Sequence, residues 1–246
     1  MKGTAITTVG LIGPGHIAYE ELGLASLSLA SGCTDVLSFL KLGDLFTSAM
    51  TGNTALFAIA VGRGQMLVAS RCLTALLGFM LGAALATVIY APGRAEQNAR
   101  RRLRHLLSLE TVFLGGCAAL WSVSRDPVQG SALYAVILLS AVSMGIQGVV
   151  GRLINVSGIS TIVFTSVLIS IAMSLTRALA RPASASASWA GVRAHLGTFA
   201  AYGCGAALAG ILVSRYFGGL LWVPMAAVLL ALGCSELAGH LERRAK

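Results

Sequence analysis

Asp35 stands in Gly32-Cys33-Thr34-Asp35-Val36-Leu37-Ser38-Phe39 and is the one acid read as lying well inside a long apolar segment. An ionisable group at the centre of a bilayer costs at least ~2.5 kcal/mol on insertion scales, so it ordinarily faces a cavity or a partner. Two roles suit it. A carboxyl at that depth can exchange a proton or hold a cation on a substrate or ion pathway, or it can act only as an acceptor that bridges helices or caps a neighbouring helix start. The pathway role is preferred, and coupling to a proton or cation would then run through Asp35.

Further along, Met50-Thr51-Gly52-Asn53-Thr54 interrupts the next apolar segment. Thr, Gly, Asn and Thr in succession sustain a helix poorly but expose and supplement backbone hydrogen-bonding groups. Non-helical backbone at membrane depth survives only where protein or water satisfies it, so a broken or re-entrant helix lining a cavity is expected at Thr51, Gly52, Asn53 and Thr54. The competing expectation is an unbroken helix whose small residues permit close packing. In the second half the polar set is Gln147, Asn155, Ser160, Thr161, Thr165 and Ser166, all neutral, which leaves Asp35 as the only coupling charge. Arg152, at the end of its apolar stretch, is expected to snorkel to an interface.

Other chemistry is missing from the sequence. It has no H-E-x-x-H, G-x-S-x-G, P-loop or dinucleotide fingerprint, and no second intramembrane Asp to pair with Asp35, so no enzyme is expected. His16, His105, His195 and His240 fall in tails or at segment ends, and the five cysteines are dispersed without C-x-x-C or a nearby His. No metal or cofactor is therefore expected, and the cysteines should act as small buried hydrophobes. Glu110 and Glu236 lie within about a turn of Arg104-His105 and of His240 to Arg243, which suggests interfacial ion pairs; Trp121 and Trp222 are placed as belt anchors near the outer ends of their segments.

These residues need elements to hold them, and composition says of what kind. Of 246 residues 56% are hydrophobic and 11% charged, against roughly a quarter charged in a soluble domain. Eight apolar segments can be marked, at about 22–41, 45–62, 70–90, 107–124, 130–151, 157–177, 194–214 and 219–238. The net charge of +9 belongs to cations between these segments rather than to one basic face, so nucleic acid is set aside and the lipid bilayer is the expected partner. If all eight segments span with the N-terminus inside, Lys and Arg divide ten inside to eight outside. If the second and sixth dip in and return, the division is thirteen to five, with the run Arg94 to Arg104 inside. The positive-inside bias selects six spans with both termini cytoplasmic, over the alternative of eight spans with parallel repeats.

A repeat divides the chain. Gly78-Phe-Met-Leu-Gly82-Ala-Ala-Leu-Ala86 returns as Ala201-Tyr-Gly-Cys-Gly205-Ala-Ala-Leu-Ala209, an offset of 123 in 246 residues. Gly32 and Gly145 match more weakly. The small-residue rows at Gly78, Gly82 and Gly205 are packing faces. The expected organisation is a cytoplasmic tail 1–21, a first membrane repeat 22–124 with a basic loop at 94–105, a second repeat 125–238, and a cytoplasmic tail 239–246, with Pro182 to Ala190 as a low-complexity linker. Six spans would set the halves in opposite directions, as in inverted-repeat transporters.

Gly32-x-x-Asp35, Phe39-Leu40-x-Leu42-Gly43, Phe46 and Met50-Thr51-Gly52-Asn53 resemble the first-half signature of the YoaK family of bacterial multi-pass membrane proteins. Met144-Gly145-Ile146-Gln147, Arg152 and Ser160-Thr161-x-x-x-Thr165 resemble its second motif, with Gly148 and Ser166 where the family tends to have Asn and Gly. The resemblance implies a six-pass protein of the bacterial inner membrane and brings no substrate. The reading is thus an all-α polytopic protein of six transmembrane helices plus two re-entrant or broken segments. It is expected to be a transporter or channel for a small solute or ion, or alternatively a non-catalytic scaffold or accessory subunit, in either case compatible with a homo-oligomer.

Overall fold

The computed structural model describes residues 14–90, 99–124, 127–154, 164–180 and 185–245. They form helices α1 (Pro14–Lys41), α2 (Met50–Gly62), α3 (Met66–Tyr90), α4 (Ala99–Val123), α5 (Gly130–Ile154), α6 (Phe164–Ala180), α7 (Ala185–Leu212), α8 (Phe217–Leu220) and α9 (Val223–Ala245), with no strand among the described residues. Six stretches are long and apolar enough to cross a membrane: Glu21–Lys41, Met66–Tyr90, Arg101–Val123, Gly130–Leu153, His195–Leu212 and Phe217–His240. The 13 residues of α2 rise only about 20 Å, well short of a hydrocarbon core of about 30 Å. The apolar stretch Val167–Arg177 of α6 is shorter still.

The surface is that of a molecule dissolved in lipid. Leu67, Met80, Val88, Val112, Ile211 and Leu230 point outward, while Ser28, Ser31, Asp35, Ser38, Ser140, Ser143 and Gln147 are fully buried. With hydrocarbon as the solvent, apolar side chains gain nothing by turning inward, so the interior is left to small and hydrogen-bonding residues that let helices approach. Four cysteines are buried as expected, and Cys204 is exposed on α7.

Side-chain contacts fix the directions of the long helices. Ser70 meets Tyr134 and Gly82 meets Val142, so α3 and α5 run parallel. Cys117 reaches the Val136 carbonyl and Ser143 the Glu110 carbonyl, so α4 runs against α5. Arg104 pairs with Glu236 at 3.0 Å while Trp121 meets Phe217 just before α9, so α4 also runs against α9. Gln147 meets Leu27 and Ser31, one to two turns before Asp35, with α1 and α5 antiparallel. Lys41 over the Phe217 ring brings the C-terminal ends of α1 and α7 to the same side.

The tightest crossings occur at glycine. At Gly32 of α1 a Cβ would collide with the Tyr202 carbonyl and the Ala206 nitrogen of α7, and at Gly145 of α5 it would collide with the Phe79 carbonyl and the Ala83 nitrogen of α3. Phe79 and Ala83 precede Tyr202 and Ala206 by 123 residues each, the offset of the repeat. Reciprocally, Gly205 lies on the Leu29 carbonyl and Gly82 on the Val142 carbonyl, where residues 29 and 142 share the 113-residue spacing of Gly32 and Gly145. The two crossings are built alike.

Two sequence boundaries are corrected. Arg100 to Arg104 lie in the first turns of α4 rather than in a loop, and of Pro182 to Ala190 the part from Ala185 belongs to α7. Alanine is the best helix former, and neither proline nor glycine stands between Pro182 and Ala190. The Ala-Ser alternation, which looks like a linker, therefore carries a helix. Residues 94–98 and 182–184 lie outside the described residues.

Candidate functional site

The chain leaves α1 through a left-handed pair, Gly43 (φ 97°) and Asp44 (φ 58°), with the Asp44 N–H returning to the Phe39 carbonyl in a Schellman-type cap. A side chain at Gly43 would also displace the Arg71 guanidinium packed over it. The next residues are non-helical yet Leu45, Thr47 and Ser48 are buried, so their backbone groups need partners from the protein itself.

Asp35 supplies them. Its Oδ1 accepts the Thr47 N–H (2.8 Å) and the Ser48 N–H (2.7 Å), and its Oδ2 accepts the Ser48 hydroxyl (2.6 Å) and the Tyr202 hydroxyl of α7 (3.0 Å). An ionised carboxylate offers about four lone-pair positions, and these four neutral donors fill them. Asn53 completes the support from the other side: its Oδ1 accepts the Phe46 N–H at 2.8 Å while its Nδ2 donates to the Phe46 carbonyl. The Phe46 ring stacks on Phe39 at 5.1 Å and lies over Gly52, which has room for it only because it lacks a side chain. Asp35 is six residues before the end of α1, so at Thr47 the chain has come back by about 9 Å along that helix.

The residues singled out in the sequence separate into groups. Asp35, Gly52 and Asn53 converge on residues 46–48. Thr51 and Thr54 are exposed on α2, and the Thr54 hydroxyl bonds its own helix at the Met50 carbonyl. Gln147 is apart from them; its Nε2 donates to the Leu27 carbonyl and the Ser31 hydroxyl while its Oε1 is buried without a partner. Asn155, Ser160 and Thr161, and the side chains of Thr165 and Ser166, lie outside the described residues. Gly78, Gly82 and Gly205 are helix-packing positions, as expected.

Ser48 and Tyr202 escape sequence reasoning because neither residue type is unusual where it stands. One signal was available for Tyr202: it falls on the repeat position of Phe79, so a hydroxyl distinguishes the two halves there. By the spacing of Gly32 and Gly145, the position matching Asp35 is Gly148, so the crossing at Gly145, with Gly148 and Phe79, lacks both the acid and the hydroxyl that the crossing at Gly32 has.

Two sequence expectations are corrected. Glu110 is not an interfacial ion pair: it is fully buried and neither carboxylate oxygen has a partner, which makes it a second acid inside the apolar interior. Trp121 is not a belt anchor but is buried edge-on to Phe217 at 5.5 Å, whereas Trp222 is 40% exposed. His195 is buried at the first residue of the apolar stretch His195–Leu212, a segment end as expected. No group of three or more metal-ligating side chains occurs among the described residues.

Six long apolar helices, a lipid-type exterior and a polar, glycine-crossed interior define an integral, multi-pass membrane protein. Residues 23–234 match the family described as protein of unknown function (DUF1275), and the chain belongs to that family. It is 36% identical over 155 residues to the UPF0700 transmembrane protein YoaK of Bacillus subtilis (strain 168), a match that spans 63% of this chain and 66% of that protein, just under two thirds of its length. No solved structure matches.

Proposed function

We propose that the chain is a transporter or channel for a small solute or ion, built from two inverted halves in the bacterial inner membrane with both termini cytoplasmic. The observation that carries the reading is the pair of matched glycine crossings, Gly32 with Tyr202 and Ala206, and Gly145 with Phe79 and Ala83. Each crossing joins a helix of one half to a helix of the other, and α1 runs antiparallel to α5, its counterpart. Inverted halves packed in this way can rock against each other about a fixed site, which is the common basis of alternating access.

In this reading residues 42–49 and α2 form a re-entrant element, and Asp35 latches it to the opposite half through Tyr202. A proton or cation taken up by Asp35 must displace one of four donors, so charge and contact between the halves are coupled. The test is flux in proteoliposomes under imposed proton and sodium gradients, with a panel of small solutes. Asp35→Asn is expected to insert normally and lose coupled flux; wild-type flux in that variant removes the coupling role.

A scaffold or accessory subunit is the second reading, favoured by one observation: Asp35 and Asn53 spend their hydrogen bonds on the chain's own backbone. A stable co-purifying partner, with no flux of any solute on the panel, would select it.

A further inference from the structure

Glu110 is a fully buried residue of α4 on the side that packs against α5 and is used by nothing described above. Counted from Arg101, where the apolar stretch of α4 begins, it stands about 13 Å in, close to the middle of a hydrocarbon core of about 30 Å. It is 0% exposed, and both carboxyl oxygens lack a hydrogen-bond partner. Across from it, α5 carries Ser140, Ser143 and Gln147 at helical spacing on one buried face. Ser143 fixes the register through its contact with the Glu110 carbonyl at 3.5 Å. The Ser140 hydroxyl and the Gln147 Oε1 are, like the carboxylate, buried and unpartnered. One to three turns further along α4, Leu114 and Trp121 join Thr34 and Ser140 around a cavity of about 20 Å³, room for roughly one water.

The buried unpartnered groups here are mostly acceptors: the two Glu110 oxygens and the Gln147 Oε1, against the Trp121 indole N–H, with the Ser140 hydroxyl able to act as either. Unpaired buried acceptors cost about 1–3 kcal/mol each, more when charged, and a cation is what such a group of oxygens lacks. The protein's own charges are committed or distant: Arg102, two turns before Glu110 on α4, donates to the Tyr90 carbonyl, Arg104 is paired with Glu236, and His105, Arg152 and His240 are exposed near helix ends. Asp35 on α1 has its four donors, Tyr90 stands at the far end of α3, and the remaining titratable groups nearby are the thiols of Cys117 and Cys234.

We propose that Glu110, with the Gln147 amide oxygen one turn from Ser143 on the facing helix, is the loading site of a small monovalent cation, H+ or Na+, at the centre of the bundle. The proposal names the coupling ion's class for the transporter and rests on that reading for its purpose, but occupancy is measured without flux, so the two can fail separately. Leu106, Leu107, Met144 and Val228 form the apolar surround that keeps competing water out. The latch at Asp35 and the loading site at Glu110 are then two acids with different duties.

The full chain in proteoliposomes is measured by infrared difference spectroscopy between mildly acidic and mildly alkaline buffer, in sodium chloride or choline chloride. The expected result is a protonated-carboxyl C=O band that is absent in Glu110→Gln and disappears in wild type as pH rises. Loss of the same band on adding sodium at constant pH identifies Na+ as an occupant, and indifference to sodium leaves H+ alone. If Glu110→Gln is not produced, Glu110→Asp assigns the band by shifting it. A Glu110-dependent carboxyl signal that moves with neither pH nor sodium, or no such signal in any buffer, overturns the proposal.

Discussion

Asp35 accepts from two backbone N–H groups as well as two hydroxyls, so its substitution tests the turn before α2 and the contact between halves together. Asp35→Asn presents an amide N–H₂ where donors already converge, and a loss of about 1–3 kcal/mol is expected from the mismatch. Tyr202→Phe removes one hydroxyl and leaves three donors in place, for which about 0.5–1.5 kcal/mol is expected. Thermal unfolding in detergent checks the order; a larger loss in Tyr202→Phe than in Asp35→Asn would mean that the backbone contacts are not what Asp35 is for. Asp35 was legible in the sequence because an acid in an apolar run is rare. Its donors were not, since Thr47, Ser48 and Tyr202 become partners only when the chain folds back. Glu110 was misplaced because sequence proximity to Arg104 stood in for angular position: six residues turn a helix by about 600°, which leaves the two side chains about 120° apart.

At the scale of elements, packing is decided by where backbones meet. A Cβ at Gly205 would strike the Leu29 carbonyl, whereas at Gly203 it meets nothing within 4 Å. Gly205→Val is expected to destabilise by at least about 1–3 kcal/mol, because a backbone cannot step aside as a side chain can. Gly203→Val, on the open side of the same helix, is expected to be near neutral. Equal melting temperatures for the two variants in detergent would contradict the α1–α7 crossing. The small-residue rows could be recognised as packing faces from sequence, but their partners could not, because spacing identifies a face and says nothing of the helix that covers it. The end of α2 was legible in Arg63-Gly64, where Gly64 (φ 69°) closes the helix, but its start was not: the break expected at Thr51 to Thr54 falls instead on residues 42–49, and Thr51 to Thr54 form the first turn of an unbroken helix.

Across the whole molecule the charges report orientation and the interior reports use. Among the described residues, Arg102 lies over Tyr90 and Arg104 meets Glu236 at one end of the bundle, and Lys41, Arg63 and Arg71 mark the other end. Exposed pairs such as Arg104 with Glu236 add no more than about 1 kcal/mol, so these cations contribute little to stability. The account stands on six spans in two inverted halves, and its most direct test is sidedness. Single cysteines replace Gln65, Asn98 and Ser186 in a background without the five native ones, and each is probed with an impermeant maleimide in intact cells and in inverted vesicles. The account predicts that positions 98 and 186 react only from the cytoplasmic side and position 65 only from the opposite side. Labelling of 98 and 186 from opposite sides would contradict it, and with it the inverted halves and the re-entrant element.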